Sequence, residues 1–199
     1  MNTEAENGEN KLQGAFGDRG TNVNAIAYGH PHADSIMEAA TEVIQESSTG
    51  QNLLKVMYHY KIPVQILKGK GESESGFSPD MNTIFLQAPG KTEGLYGPLI
   101  LSFIKGLREA DQHYNGLKSP DPMKDVMAYA AFMHARNIDG LYFVCEVLKE
   151  LTNSLHFPVL LDSLKILGLN SFYIAHSEGA TKEELYDYYA EAYNRGSTQ

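Results

Sequence analysis

Apolar residues along this chain recur with two periods, and the changes of period mark out its elements. Up to about residue 28, large apolar side chains are sparse among Asn, Gly, Glu and Thr, which predicts a flexible N-terminal arm. In "HADSIMEAATEVIQES", Ile36, Ala40, Val43 and Ile44 fall on one helical face, with Asp34 or Ser35 as N-cap. "STGQ" interrupts the pattern, and "NLLKVMYHYK" turns Leu53, Leu54, Met57 and Tyr58 inward before stopping ahead of Pro63. The period then drops to two. Val64 and Ile66 alternate with Gln65, and Ile84 and Leu86 alternate with Phe85 and Gln87. These two strands, joined by a Gly/Ser/Glu loop and the turn "SPDMN", are expected to pair antiparallel.

From residue 95 onward the helical period returns and holds. "GPLILSFIKGLREADQHY" carries Leu99, Ile100, Phe103, Ile104, Leu107 and Tyr114 on one stripe, and Gly116 is placed to close it as a C-cap. A longer helix is expected from the cap signals at Ser119 to Pro122, with Val126, Ala130, Met133, Leu141, Val144, Leu148 and Leu151 inward. "PVLLDSLKIL" predicts a short helix. "TKEELYDYYAEAYN" predicts a last one, opened by a capping box of Thr181 and Glu184. The fold class that follows is α+β: a single helix-rich domain over residues 29–195, with a small antiparallel sheet on one side and a short tail at 196–199.

Composition narrows the function. The 199 residues carry a net charge of −9, which argues against a nucleic-acid groove or an anionic membrane surface, since both reward clustered Lys and Arg. The longest apolar stretches, "GPLILSFI" and "FPVLL", fall far short of the roughly 20 residues that span a bilayer. The polar, acidic start "MNTEAENGENKLQG" has no secretory pattern. The lone Cys145 sits in the apolar run "GLYFVCEVL", where a buried inert thiol is expected. A cytoplasmic protein is the expectation.

Two segments resemble a known family. "GFSPDMNTIFLQAP" followed by "KGLREADQHYNGL" is similar to small zinc-metallopeptidase domains of the minigluzincin type, over about residues 50–150. In those domains a strand with an N-T-I-x-L pattern leads into a helix reading roughly H-E-L-R-H-A-x-Q-x-x-x-G-L. This chain matches the helix at Leu107, Arg108, Ala110, Gln112, Gly116 and Leu117. The resemblance implies a pair of long zincin-like helices beside the sheet, and a zinc held by two histidines four residues apart with a glutamate as base.

The letters that carry the chemistry differ. Lys105, Gly106 and Glu109 stand where the first histidine, the glutamate and the second histidine would be. An ammonium has no lone pair for a metal, and glycine offers no base. Lys105 and Glu109, at i,i+4 spacing, can instead pair across the place of the metal, a contact contributing about 0.2–0.5 kcal/mol if exposed. Alternatively Lys105, Arg108, Glu109 and Gln112 are simply the wet side of an amphipathic helix. Both readings give a pseudoenzyme with no cofactor that binds a peptide or protein. Its binding residues would be the vestigial cleft of Lys105, Arg108, Glu109, Gln112 and Asp139, together with an edge strand presenting Thr83, Phe85 and Gln87 for strand addition.

Three further candidates stand beside this one. Glu109 and His113, with Asp139 as a third ligand, make an alternative divalent-metal site for a hydrolase, with zinc the first metal to test. Histidine ahead of a C-cap is also favourable at the negative end of a helix dipole. His30 and His32 before Asp34 imitate a binuclear-hydrolase opening, but Ser35 breaks it; "PGKTEG" lacks the spacing of a phosphate loop. Gly140 on the long helix suggests close approach of another backbone, Asn137 needs a hydrogen-bond partner if buried, and Arg136 with Asp139 reads as a surface pair. Finally, Tyr186, Tyr188, Tyr189 and Tyr193 surround the last helix, which motivates an assembly role or a homo-oligomer formed through it.

Overall fold

The computed structural model describes residues 33–68, 75–88 and 96–196. The arm, His30, His32, most of the loop after the first strand, the "PGKTEG" segment and the last three residues lie outside the described residues. The chain runs α1 (Ala33–Gln45), α2 (Ser48–His59), β1 (Val64–Lys68), β2 (Gly76–Ser78), β3 (Thr83–Ala88), α3 (Tyr96–Tyr114), α4 (Val126–Glu150), α5 (Phe157–Ile166), α6 (Asn170–Ser177) and α7 (Lys182–Gly196). This is the helix-rich α+β domain expected.

The sheet departs from expectation. β1 and β3 pair parallel, Val64 opposite Ile84 through Lys68 opposite Ala88, and the short β2 pairs antiparallel on the other side of β3. The order β1-β3-β2 makes β3 the central strand of a mixed sheet. The turn at Pro79–Asn82 therefore closes a β2–β3 hairpin, with Asn82 at φ 48°, a left-handed conformation that asparagine tolerates. The physical reason lies in β3 itself: Ile84 and Leu86 are fully buried against α3, and the strand gains a neighbour on each edge.

α3 is the axis of the core. Phe103, Ile104, Leu107 and Ala110 lose all their solvent contact between the sheet, α1, α2 and α5. A second, smaller cluster joins Ile138, Leu141 and Cys145 of α4 to Phe172 and Ala175 of α6 and to Leu185 of α7. Burial, with Glu146 alongside, pushes the Cys145 thiol up to about 12, so it is inert as a nucleophile at neutral pH. Among the described residues no helix is long and apolar enough to cross a membrane.

Helix boundaries move for local reasons. α1 begins at Ala33, so Asp34 and Ser35 lie in its first turn rather than at its cap. α4 begins at Val126, capped by Asp125, whose Oδ1 accepts from Ala128 N–H at 2.9 Å; residues 121–124 form a separate turn ahead of it. Val126 and Ala130, expected inward, are exposed, and Met133 is only half-buried. The capping box of α7 is present: Thr181 N–H donates to Glu184 Oε2 at 2.8 Å, and Glu184 N–H donates to Thr181 Oγ1 at 3.3 Å.

A polar tie between residues about a hundred positions apart fastens α2 to the end of α4. Ser47 Oγ, Ser48 Oγ, Thr49 Oγ1 and Thr49 N–H all donate to the Glu150 carboxylate, at 2.6 to 3.0 Å. Burial raises the pKa of Glu150, but these donors outweigh it and hold the group at about 2. A carboxyl depressed in the folded state stabilises the fold above its unfolded value, near 4.5, and that contribution fades as pH falls towards 2. Because the group is solvent-exposed, its worth is that of a helix cap. Glu150→Ala should cost about 1–2 kcal/mol at pH 7 and progressively less below pH 4.5. Urea melts of both proteins at pH 7 and pH 3 check this.

Candidate functional site

Two charge clusters lie where α3 meets α4. The first is built on Glu109, which is only 6% exposed and so is not on a wet face. Its Oε1 lies 3.3 Å from Lys105 Nζ, the i,i+4 pair the sequence allowed. Its Oε2 accepts from Phe77 N–H at 2.9 Å and from Arg136 Nη2 at 3.1 Å, and the same Arg136 nitrogen donates to Phe77 O at 3.2 Å. A buried carboxylate is thus met by two cations and a backbone donor, the condition under which a buried charge is tolerable. Small residues make the room. A Cβ on Gly76 would lie 2.7 Å from Glu109 Oε2, and one on Gly140 would lie 2.9 Å from Lys105 Cγ. The close approach at Gly140 is made by the side-chain stem of Lys105, not by another backbone as expected. Gly106 is close-packed as well: a Cβ there would stand 2.9 Å from Ile84 Cγ2.

This cluster also closes a strand edge. Phe77 lies in β2, and its N–H and C=O are taken by Glu109 and Arg136, as a further strand would take them. Strand addition at Thr83, Phe85 and Gln87 is overturned on separate grounds: β3 has a neighbour on each side, Thr83 is buried with its hydroxyl donating to Met81 O, and Gln87 N–H donates to Ser75 Oγ.

The second cluster is built on Asp139. Arg108 Nε and Gln112 Nε2 both donate to its Oδ2 at 2.6 Å, and Lys182 pairs with its Oδ1. Burial raises the pKa of Asp139, but the hydrogen bonds and charges of Arg108 and Lys182 prevail and hold its carboxyl below the usual carboxylate range. Arg108 also pairs with Asp111 and lies 4.0 Å over the Phe143 ring. The surface pair expected between Arg136 and Asp139 is not formed. Each reaches a different residue across the helix interface, Arg136 to Glu109 and Asp139 to Arg108. Gln112, 8% exposed, keeps Nε2 on Asp139 and leaves its Oε1 without a donor.

The donors do not suit a metal. Glu109 is engaged by Lys105 and Arg136, Asp139 by Arg108 and Lys182, and His113 is exposed with its ring 5.5 Å from Phe77. The alternative ligand set of Glu109, His113 and Asp139 therefore does not share a point. Among the described residues no three His, Cys, Asp or Glu side chains form a metal-binding group.

Beside the Asp139 cluster opens a groove of about 890 Å³, between the C-terminal end of α3, α4 and α7. Leu117, Phe132, Ile138 and Tyr186 supply its apolar wall, and Arg108 and Gln112 its polar floor. Arg108, Gln112 and Asp139 of the expected cleft line this groove, Lys105 and Glu109 do not, and its apolar wall and α7 side had no sequence signal. Arg136 and Gly140, one turn apart on the face of α4 that meets α3, were the available signal for the Glu109 cluster. Of the α7 tyrosines, Tyr186 and Tyr188 are exposed, while Tyr189 packs near His134, its hydroxyl 3.4 Å from Asn137 Nδ2; the side chain of Tyr193 lies outside the described residues. Compared with family models, with curated proteins and with solved structures, the chain matches none.

Proposed function

We propose that this protein is a non-catalytic binding domain that holds a peptide or protein segment in the groove between α3, α4 and α7. One observation carries the reading. The groove sets an apolar wall of Leu117, Phe132, Ile138 and Tyr186 beside the polar side chains of Arg108, Gln112 and Asn115, and a peptide supplies both apolar side chains and backbone polar groups to such a surface. The cations of the groove favour no strongly anionic ligand, because Arg108 and Lys182 already hold Asp139 and Arg136 holds Glu109. The engagement of Glu109 by Lys105 and Arg136 supports the non-catalytic half of the proposal, since it commits that carboxylate to structural partners.

Panning a random-peptide display library on the full chain tests this. The expected result is a family of apolar peptides whose affinity, by fluorescence anisotropy, falls at least about tenfold on Phe132→Ala with the melting temperature kept. A library that yields no such family, or peptides indifferent to Phe132→Ala, overturns the proposal.

A further inference from the structure

The smaller core cluster holds a buried histidine against α4. Ile138, Leu141 and Cys145 of α4, Phe172 and Ala175 of α6, and Leu185 of α7 are its buried apolar side chains. His176, in the last turn of α6, is 4% exposed. Its Nε2 lies 2.9 Å from Glu146 Oε1 on α4; a carboxylate only accepts, so Nε2 carries the proton and Nδ1 is the bare nitrogen. Nδ1 is buried and has no hydrogen-bond partner among the described residues. The Tyr142 ring packs across the imidazole, their centres 4.7 Å apart at 78°, and Lys182 Nζ of α7 stands 4.7 Å from the centre of the same ring.

We propose that His176 is an acid-sensitive catch: a second proton on its ring releases α6 and α7 from α4 while the main core stays folded. That proton would sit on Nδ1, in a site that offers it no acceptor. Burial is the largest influence against it. The charge and hydrogen bond of Glu146 favour it, Lys149 opposes it, and the balance holds His176 below its ordinary value of 6.5. A histidine depressed in the folded state stabilises the fold above 6.5, and that contribution is lost as pH falls through its folded value. Cys145 of α4, pushed up to about 12, and Tyr173 of α6, raised by burial, stay neutral in acid. On α5, Asp162 pairs with Lys165; on α7, Glu184 and Asp187 border the pocket beside Ala175 and Glu178. α6 and α7 contribute no buried side chain to the larger core cluster, so it survives their departure. Lys182, Glu183 and Tyr186 of α7 line the groove, so release also regulates binding there. That consequence rests on the function proposed above, whereas the release itself is read without a ligand.

Cys145 reports the release, since it is the one cysteine of the chain and lies in the cluster that opens. A dithiodipyridine reacts with thiols in acid as well as at neutral pH. Relative to free glutathione at each pH, it should modify Cys145 about tenfold faster at pH 5 than at pH 7. Hydrogen exchange of the full chain should show α6 and α7 losing protection over the same range and α3 keeping it. His176→Gln keeps an N–H for Glu146 and does not titrate, so its reaction ratio should stay flat. His134, beside Tyr186 and Tyr189 of α7, is the control, and His134→Gln should leave the rise in place. Cys145 equally slow at both pH values, a rise that survives His176→Gln or is lost in His134→Gln, or α3 losing protection together with α6 and α7 overturns the proposal.

Discussion

Glu109→Ala should lower the stability of the protein by about 3–5 kcal/mol, a large share of the roughly 5–15 kcal/mol that holds a domain folded. The loss exceeds the worth of one surface ion pair because of what is left behind. Lys105 and Arg136 would face each other across a cavity with no anion between them, and Phe77 N–H would lose its acceptor. Glu109→Gln should cost less, since its amide oxygen still accepts from Phe77, but the two cations remain uncompensated. Lys105→Met, Glu109→Leu and Arg136→Met combined should recover most of the loss, because a well-packed apolar set replaces a buried charge set at little cost. Urea denaturation of the four proteins separates the cases. If Glu109→Ala melts within about 1 kcal/mol of the wild type, the cluster is solvated and its structural role is lost.

The helices of this fold were legible because their stripes are long: Leu99 to Leu107 on α3 and Leu141 to Leu151 on α4 are buried as their spacing requires. The sheet was not. β2 is three residues, Gly76 to Ser78, too short for a period of two to show, so β1 and β3 read as direct neighbours in a hairpin when β2 lies between them in sequence. α6 was hidden for a similar reason, since its eight residues sit between two glycine-bearing turns with no side-chain cap. At the site, the Lys105–Glu109 contact could be read because it is local, four residues apart on one helix. The partners that decide its character could not, because Arg136 and Phe77 lie 27 and 32 residues away from Glu109. Local spacing even misdirected: Arg136 and Asp139 have ideal separation for each other, yet burial against α3 offers each a better partner. The exposure of Val126 and Ala130 follows from the same limit. Periodicity says which residues share a face, and only the neighbours say whether that face is covered.

Gly106→Glu should destabilise the fold by about 3 kcal/mol or more. A Cβ at that position would stand 2.9 Å from Ile84 Cγ2, and Ile84 is fully buried in the central strand with β1 and β2 on its two sides, so it has nowhere to retreat. The carboxylate would then follow its Cβ into an apolar contact, where an unpaired charge is costly. Gly106→Ala isolates the steric part. In an open helix that change gains up to about 1 kcal/mol from propensity, so a net loss measures the contact with Ile84 directly. The triple change Lys105→His, Gly106→Glu, Glu109→His should therefore fail to gain stoichiometric zinc. Arg136 would remain beside the new histidine with its own anion gone, and α3 would have to lift from the sheet to admit the glutamate. Zinc titration by calorimetry, paired with urea melts of Gly106→Ala and Gly106→Glu, decides the matter. Stabilisation by Gly106→Ala, or tight zinc binding by a folded triple variant, would mean that α3 and β3 can separate at no great cost, and that the packing at Ile84 does not exclude the acid from this helix.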